Sequence, residues 1–160
     1  MKKSLIKETL MGFLRLFFIM ITCIIIGFLL MLAVYLIPVD KLWGNVYTSL
    51  ETFEREGINF SLQNTPGTTL DNFTDSFMVT NVIYIGSKGS LDDAMSNYRV
   101  KVEGGNNIDA LRTYLEGGDY TVWSYSRYWH GYIVLLKPLF LLFNYPQIRS
   151  INTFFHIVWC

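Results

Sequence analysis

Cysteine is almost missing from this chain, and the two residues present cannot build a framework. Cys23 lies inside an apolar run and Cys160 is the last residue of the sequence, so no disulfide scaffold is implied and no Cys/His spacing suits a structural zinc. An excess of positive charge is also missing. The 13 basic and 13 acidic residues cancel, which argues against the basic face that nucleic acid requires. No Gly-rich phosphate loop, HExxH or GxSxG occurs, so the sequence offers no motif for nucleotide, zinc-protease or serine-hydrolase chemistry. Repeats and low-complexity tracts are absent too. The most consequential absence is local: Leu16 to Val39 contains no charged residue at all.

That run, LFFIMITCIIIGFLLMLAVYLIPV, is long enough as a helix at ~1.5 Å per residue to cross a hydrocarbon core of ~30 Å. Its flanks set an orientation. Lys2, Lys3, Lys7 and Arg15 precede it against the single acid Glu8, which keeps the N-terminus in the cytoplasm. A cleaved signal would have an apolar region of ~7–15 residues and then a small-x-small site. Here Ala33 is followed by Val34, Tyr35, Leu36, Ile37 and Pro38, so the run reads as an uncleaved anchor. The expected layout is a cytoplasmic segment 1–15, a transmembrane helix 16–39 and an extracytoplasmic loop 40–125. Within that loop 12 acids face 6 bases, a net charge of −6.

The loop reads as folded and mostly helical. Leu42, Trp43, Val46, Tyr47, Leu50 and Phe53 recur with a helical period between Asp40 and Glu56, and Gly57 ends that segment. Asn64, Pro66 and Gly67 form a turn. The next helix is expected at about Leu70 to Ile85, with Thr68 as N-cap and Asp71 at N3. Ser90 with Asp93 resembles a capping box for a short helix to about Tyr98, and Arg99–Glu103 alternates weakly. Asn107 can cap a helix that Gly117-Gly118 terminates.

Beyond Tyr120 aromatic residues crowd together at Trp123, Tyr125, Tyr128, Trp129 and Tyr132, as they do where a chain meets a membrane interface. Residues 126–145 are expected to form a second transmembrane or re-entrant helix, with 146–150 a cytoplasmic turn carrying Arg149. Residues 151–160 begin a third helix. Ten helical residues reach only ~15 Å, so the chain reads as the N-terminal fragment of a longer polytopic protein.

Three features can carry chemistry. Asp71 and Asp75, one helical turn apart, can supply a general base or share a divalent cation at a pyrophosphate; alternatively both serve the helix N-terminus, where its dipole favours them. Arg127, His130 and Lys137 can share one helix face near the membrane surface and meet phosphates; alternatively the two cations snorkel and the imidazole is an interfacial hydrogen-bonder. Asn59-Phe60-Ser61 and Asn72-Phe73-Thr74 match the N-x-[ST] acceptor pattern, which matters only in a glycosylating host.

The ordered set FEREG (53–57), LDNFTDSFM (70–78), YSRYWHGYIVLLKPLF (125–140) and NYPQIR (144–149) resembles the N-terminal part of a family of multi-span bacterial membrane proteins, often Gram-positive. At a coarser level the layout resembles the GT-C glycosyltransferases. That resemblance implies cell-surface polysaccharide assembly in the bacterial plasma membrane from a polyprenyl-phosphate-linked sugar. It implies Asp71 as the base, Asp75 beside it, and Arg127, His130 and Lys137 as carrier-phosphate contacts. The expected fold is an all-α membrane protein, whose fragment is inactive alone. The rival expectation is a small anchored, non-enzymatic scaffold whose acidic module binds a partner membrane protein.

Overall fold

A computed structural model describes residues 2–63, 67–86, 89–125 and 129–159, with side chains from Lys7 onward. Helix α1 runs unbroken from Lys2 to Tyr35. Its part from Lys7 to Tyr35, whose most apolar 18-residue window has mean hydropathy 3.0, is among the described residues the one helix long and apolar enough to cross a membrane. Only 11% of its most apolar window is covered by the described residues, so they do not enclose it as a core helix. Pro38 disfavours helical backbone at Ile37, and α1 accordingly closes with the tight bonds Leu36 N–H to Ala33 and Ile37 N–H to Val34.

The rest of the described chain folds over the C-terminal end of α1. A 3₁₀ turn, Val39–Leu42, leads into α2, Trp43–Glu56. Strands β1 (Asn59–Ser61) and β2 (Thr69–Asp71) pair antiparallel, Phe60 opposite Leu70. Helix α3, Asn72–Ile83, and the short α4, Ser90–Met95, follow. β3 (Tyr98–Lys101) pairs antiparallel with β4 (Thr121–Ser124) around α5, Asn107–Glu116. The chain closes with α6, Ile133–Leu139, and α7, Tyr145–Trp159.

One apolar core joins these pieces. The stripe Leu42, Val46, Leu50 and Phe53, on 3–4-residue spacing, meets Val79, Val82 and Ile83 of α3. Ile108, Leu111 and Leu115 of α5 and Ile133, Leu136 and Phe140 around α6 complete it, and Val34 ties in the end of α1. Each such side chain stabilises the fold by about 1.5–3 kcal/mol when fully buried.

Four local expectations change. β2 holds the chain extended through Asp71, so Asp71 itself, not Thr68, caps α3, accepting from Thr74 N–H. Gly89 at φ 101° takes the N-cap place of α4, and Asp93 turns away to accept from Gly86 N–H at 3.0 and 3.1 Å. Asn106 caps α5 in a capping box with Asp109, leaving Asn107 inside the helix. The weak alternation at Arg99–Glu103 is a paired strand, so the loop is helical with two small β ribbons.

The largest difference lies in the second expected helix, 126–145: among its described residues, 129–145, no continuous helix forms. α6 has seven residues, about 10 Å and too short for a hydrocarbon core. The break is fixed by α2: Asn45 Nδ2 donates to the Phe140 carbonyl at 2.8 Å, and Ser49 Oγ accepts from Tyr145 N–H at 2.9 Å. Asn144 and Gln147 then bond each other's backbone N–H reciprocally at 3.1 and 3.0 Å, a capping box that starts α7. Residues 146–150 are helical rather than a turn, and run on without interruption into 151–159.

Arg149, expected in a short turn away from the 40–125 segment, packs against α2 and α3 of that segment. Its Nη1 meets Glu56 of α2 and its Nη2 meets Asp75 of α3, each at 3.0 Å, and Nη2 also bonds the buried amide oxygen of Asn72. All three charged side chains are less than a quarter exposed. Removing one partner from such a cluster strands the others. Arg149→Met is therefore expected to cost about 3–5 kcal/mol in denaturant unfolding of the detergent-solubilised chain. Arg112→Met, which opens the exposed pair with Glu54, is expected to cost less than about 1 kcal/mol. Equal losses would contradict the role given to Arg149.

Candidate functional site

The fully or nearly buried ionisable side chains Asp93, His130 and Lys137 gather where α6 and the residues before it meet the end of α1. Lys137 falls on the core stripe Ile133, Leu136, Lys137, Phe140, so helix periodicity drives it inward. It has no exposed surface, its Nζ stands 4.9 Å from the centre of the Tyr35 ring, and Nζ has no hydrogen-bond partner among the described residues. Asp93 is 2% exposed. Burial pushes its carboxyl up from the ordinary range, the Gly86 N–H group works against that, neighbouring Asp92 adds to it and the Lys137 charge offsets part. His130 is 6% exposed and lies against the backbone of Asp93 and Ala94, with Nε2 unpartnered. Deeper in, Asn81 Nδ2 reaches the Tyr132 hydroxyl at 3.0 Å and Asn97 at 3.2 Å.

Three hollows open around this cluster. A groove of about 560 Å³ runs along α1 between Cys23, Gly27 and Met31 on one wall and Met95 and His130 on the other. A second, of about 410 Å³, lies between Gly27 and Leu30 of α1 and Tyr132, Val134 and Leu135. A third hollow, of about 240 Å³ and walled by Phe73, Phe77, Arg99, Tyr125 and Tyr132, sits away from α1. Trp129 lines all three. Gly131 makes this possible: a Cβ there would stand 2.0 Å from the Trp129 ring, so the YWHGY order serves the fold-back of the indole.

The expected site residues separate into two groups. His130 and Lys137 come together beside Asp93. Arg127 lies outside the described residues, as do Asn64 and Pro66 of the expected turn. Asp71 and Asp75 sit toward the opposite end of α3 from Asn81, about 15 Å and about 9 Å away at ~1.5 Å per residue. Asp71 is exposed, and both its oxygens are engaged by Thr74, from N–H at 3.0 Å and from Oγ1 at 2.6 Å. Thr74 lines the aromatic hollow, so Asp71 stands behind its rim. Asp75 is committed to Arg149 and to the Tyr145 side chain.

Among the described residues no three His, Cys, Asp or Glu side chains converge to hold a metal ion. Of the two acceptor sequons, Asn72 is wholly buried and donates to Glu56 and the Gly57 carbonyl, whereas Asn59 is exposed. Sequence reasoning missed Asp93, taken for a cap, and Arg99. The signal for Arg99 was its position in a strand facing Phe73 and Phe77, which needs the fold to be seen. Compared with family models, curated proteins and solved structures, the chain shows no match.

A fully buried ammonium without an acceptor costs stability. Lys137→Met, similar in length, is expected to raise stability by about 1–3 kcal/mol in thermal unfolding; a loss of that size would mean that Asp93 depends on the Lys137 charge. At the rim, Asp71→Ala is expected to cost about 0.5–2 kcal/mol, and Asp71→Asn almost nothing because Asn caps equally well. Equal losses for the two would contradict the capping role.

Proposed function

We propose that this chain is the membrane-anchored, substrate-holding part of a GT-C-like glycosyltransferase that uses a polyprenyl-phosphate-linked sugar in cell-surface polysaccharide assembly. α1 spans the bacterial plasma membrane with its N-terminus in the cytoplasm, and the module from Asp40 onward stands outside. The observation that carries this reading is the placement of Trp129. It lines two apolar grooves along α1 and the aromatic hollow beyond them, so an apolar chain lying on α1 leads directly to a compartment for its head group. His130, buried with Nε2 unpartnered at the side of the larger groove, stands where the phosphate of such an amphiphile would pass. Asp71, behind Thr74 at the rim of the hollow, is the candidate base for an acceptor hydroxyl.

A non-enzymatic reading keeps one specific support. Both carboxylates already have internal partners, Asp71 in a cap and Asp75 in the Arg149 cluster, as structural acids do. Under it the acidic module binds a partner membrane protein.

Binding is tested with the chain in lipid nanodiscs by native mass spectrometry. Polyprenyl phosphate is expected to bind more tightly than the neutral polyprenol, and Trp129→Ala and His130→Ala are each expected to weaken it about tenfold, or ~1.4 kcal/mol. Equal binding of the phosphate and the alcohol would overturn the lipid-phosphate assignment. In membranes with transfer activity, Asp71→Asn is expected to abolish transfer with insertion intact; retained activity would remove Asp71 as the base.

A further inference from the structure

Among the described residues two guanidinium groups stand against aromatic rings, and their remaining partners differ. Arg149 lies 5.5 Å from the centre of the Phe53 ring and 5.0 Å from that of Tyr145, and it is paired with Glu56 and Asp75. Arg99 lies 5.7 Å from Phe73, 5.5 Å from Phe77 and 5.2 Å from Tyr125. Its Nη2 donates to the neutral amide oxygen of Asn107 at 2.9 Å. Asn107 is itself held in place, buried and donating from Nδ2 to the Phe73 carbonyl at 2.7 Å. Among the described residues no carboxylate lies within salt-bridge distance of Arg99, and its buried Nε has no acceptor.

Arg99 is therefore built like Arg149 without the anion. Ring faces stabilise a cation through their quadrupole, but they leave most of the five guanidinium N–H donors unfilled. Where Arg149 has carboxylates, Arg99 lines a hollow of about 240 Å³. Its size is just under the ~300–1,000 Å³ of sites for drug-sized ligands, which suits one ring or a short chain. Walls of Phe73, Phe77 and Trp129 favour an apolar or flat body over a bare hydrated ion, and a guanidinium fork suits carboxylate or phosphate oxygens.

We propose that this hollow is a binding site for a small organic anion, a carboxylate or phosphate monoester on a ring-sized body. Arg99 takes the negative group and the aromatic walls take the body. The assignment deepens the lipid-linked reading, on which it rests for the natural ligand's identity, since the same hollow would receive that head group.

The test is calorimetric titration of the full chain in detergent with benzoate and phenyl phosphate, against benzamide and inorganic phosphate. Benzoate and phenyl phosphate are expected to bind one to one, about tenfold or more tighter than the neutral amide and the bodiless ion. Arg99→Met is expected to lose about tenfold or more for both anions, with Arg99→Lys in between. Should Arg99→Met fail to fold, the wild-type comparison decides alone. Benzamide binding as well as benzoate, or Arg99→Met binding benzoate like wild type, would overturn the assignment. If the anions fail while polyprenyl phosphate still binds in nanodiscs, only this inference falls. The reverse result removes the lipid reading and leaves the anion site standing.

Discussion

The Arg149 cluster is the constraint on which the rest of the arrangement depends. One guanidinium joins Glu56 of α2, Asp75 and Asn72 of α3, and the faces of Phe53 and Tyr145. Because Arg149 belongs to α7, the pairing draws the end of the chain back onto its middle and fixes α2 and α3 beside each other. A charge this enclosed tolerates little displacement, since losing either carboxylate exposes the other to the full cost of burial. With α2 and α3 held, Asn45 and Ser49 are aimed at the α6–α7 turn, and α6 is brought down on Tyr35 at the end of α1.

The consequence for function is positional. α6 lying across the end of α1 buries Lys137 and sets His130 at the side of the groove. Gly131 lets Trp129 fold back between α1 and the aromatic hollow. A single indole thus touches the apolar flank of α1 and the hollow that Arg99 lines, a join of the kind an amphiphile would follow. Lys137 and Asp93 are costly where they are, and groups retained at such cost mark candidate functional positions.

Much of the fold was legible in the sequence, and what was missed has physical causes. The long apolar helix α1 followed from a charge-free run, and α2 from the spacing of Val46, Leu50 and Phe53. The cap of α3 slipped to Asp71 because the pairing of β2 with β1, which holds Thr69 to Asp71 extended opposite Ser61 to Asn59, outweighed the capping signal at Thr68. The break at 140–144 was locally written: Asn144-Tyr-Pro-Gln147 is a capping box in plain view, overridden by the length of the apolar stretch around it. For the site, His130 and Lys137 were readable as ionisable residues in an apolar segment. Asp93 and Arg99 were not, because their meaning comes from Gly86, Phe73 and Tyr125, which only the tertiary fold brings near.

The most direct measurement is photo-crosslinking from position 129. A photoreactive phenylalanine analogue in place of Trp129, in the full chain in native bacterial membranes, reports what occupies the join between α1 and the hollow. The account predicts a covalent adduct with a phosphate-bearing polyprenyl lipid, identified by mass spectrometry and reduced by added polyprenyl phosphate. Adducts confined to protein, or to bulk phospholipid with no effect of added polyprenyl phosphate, would contradict it.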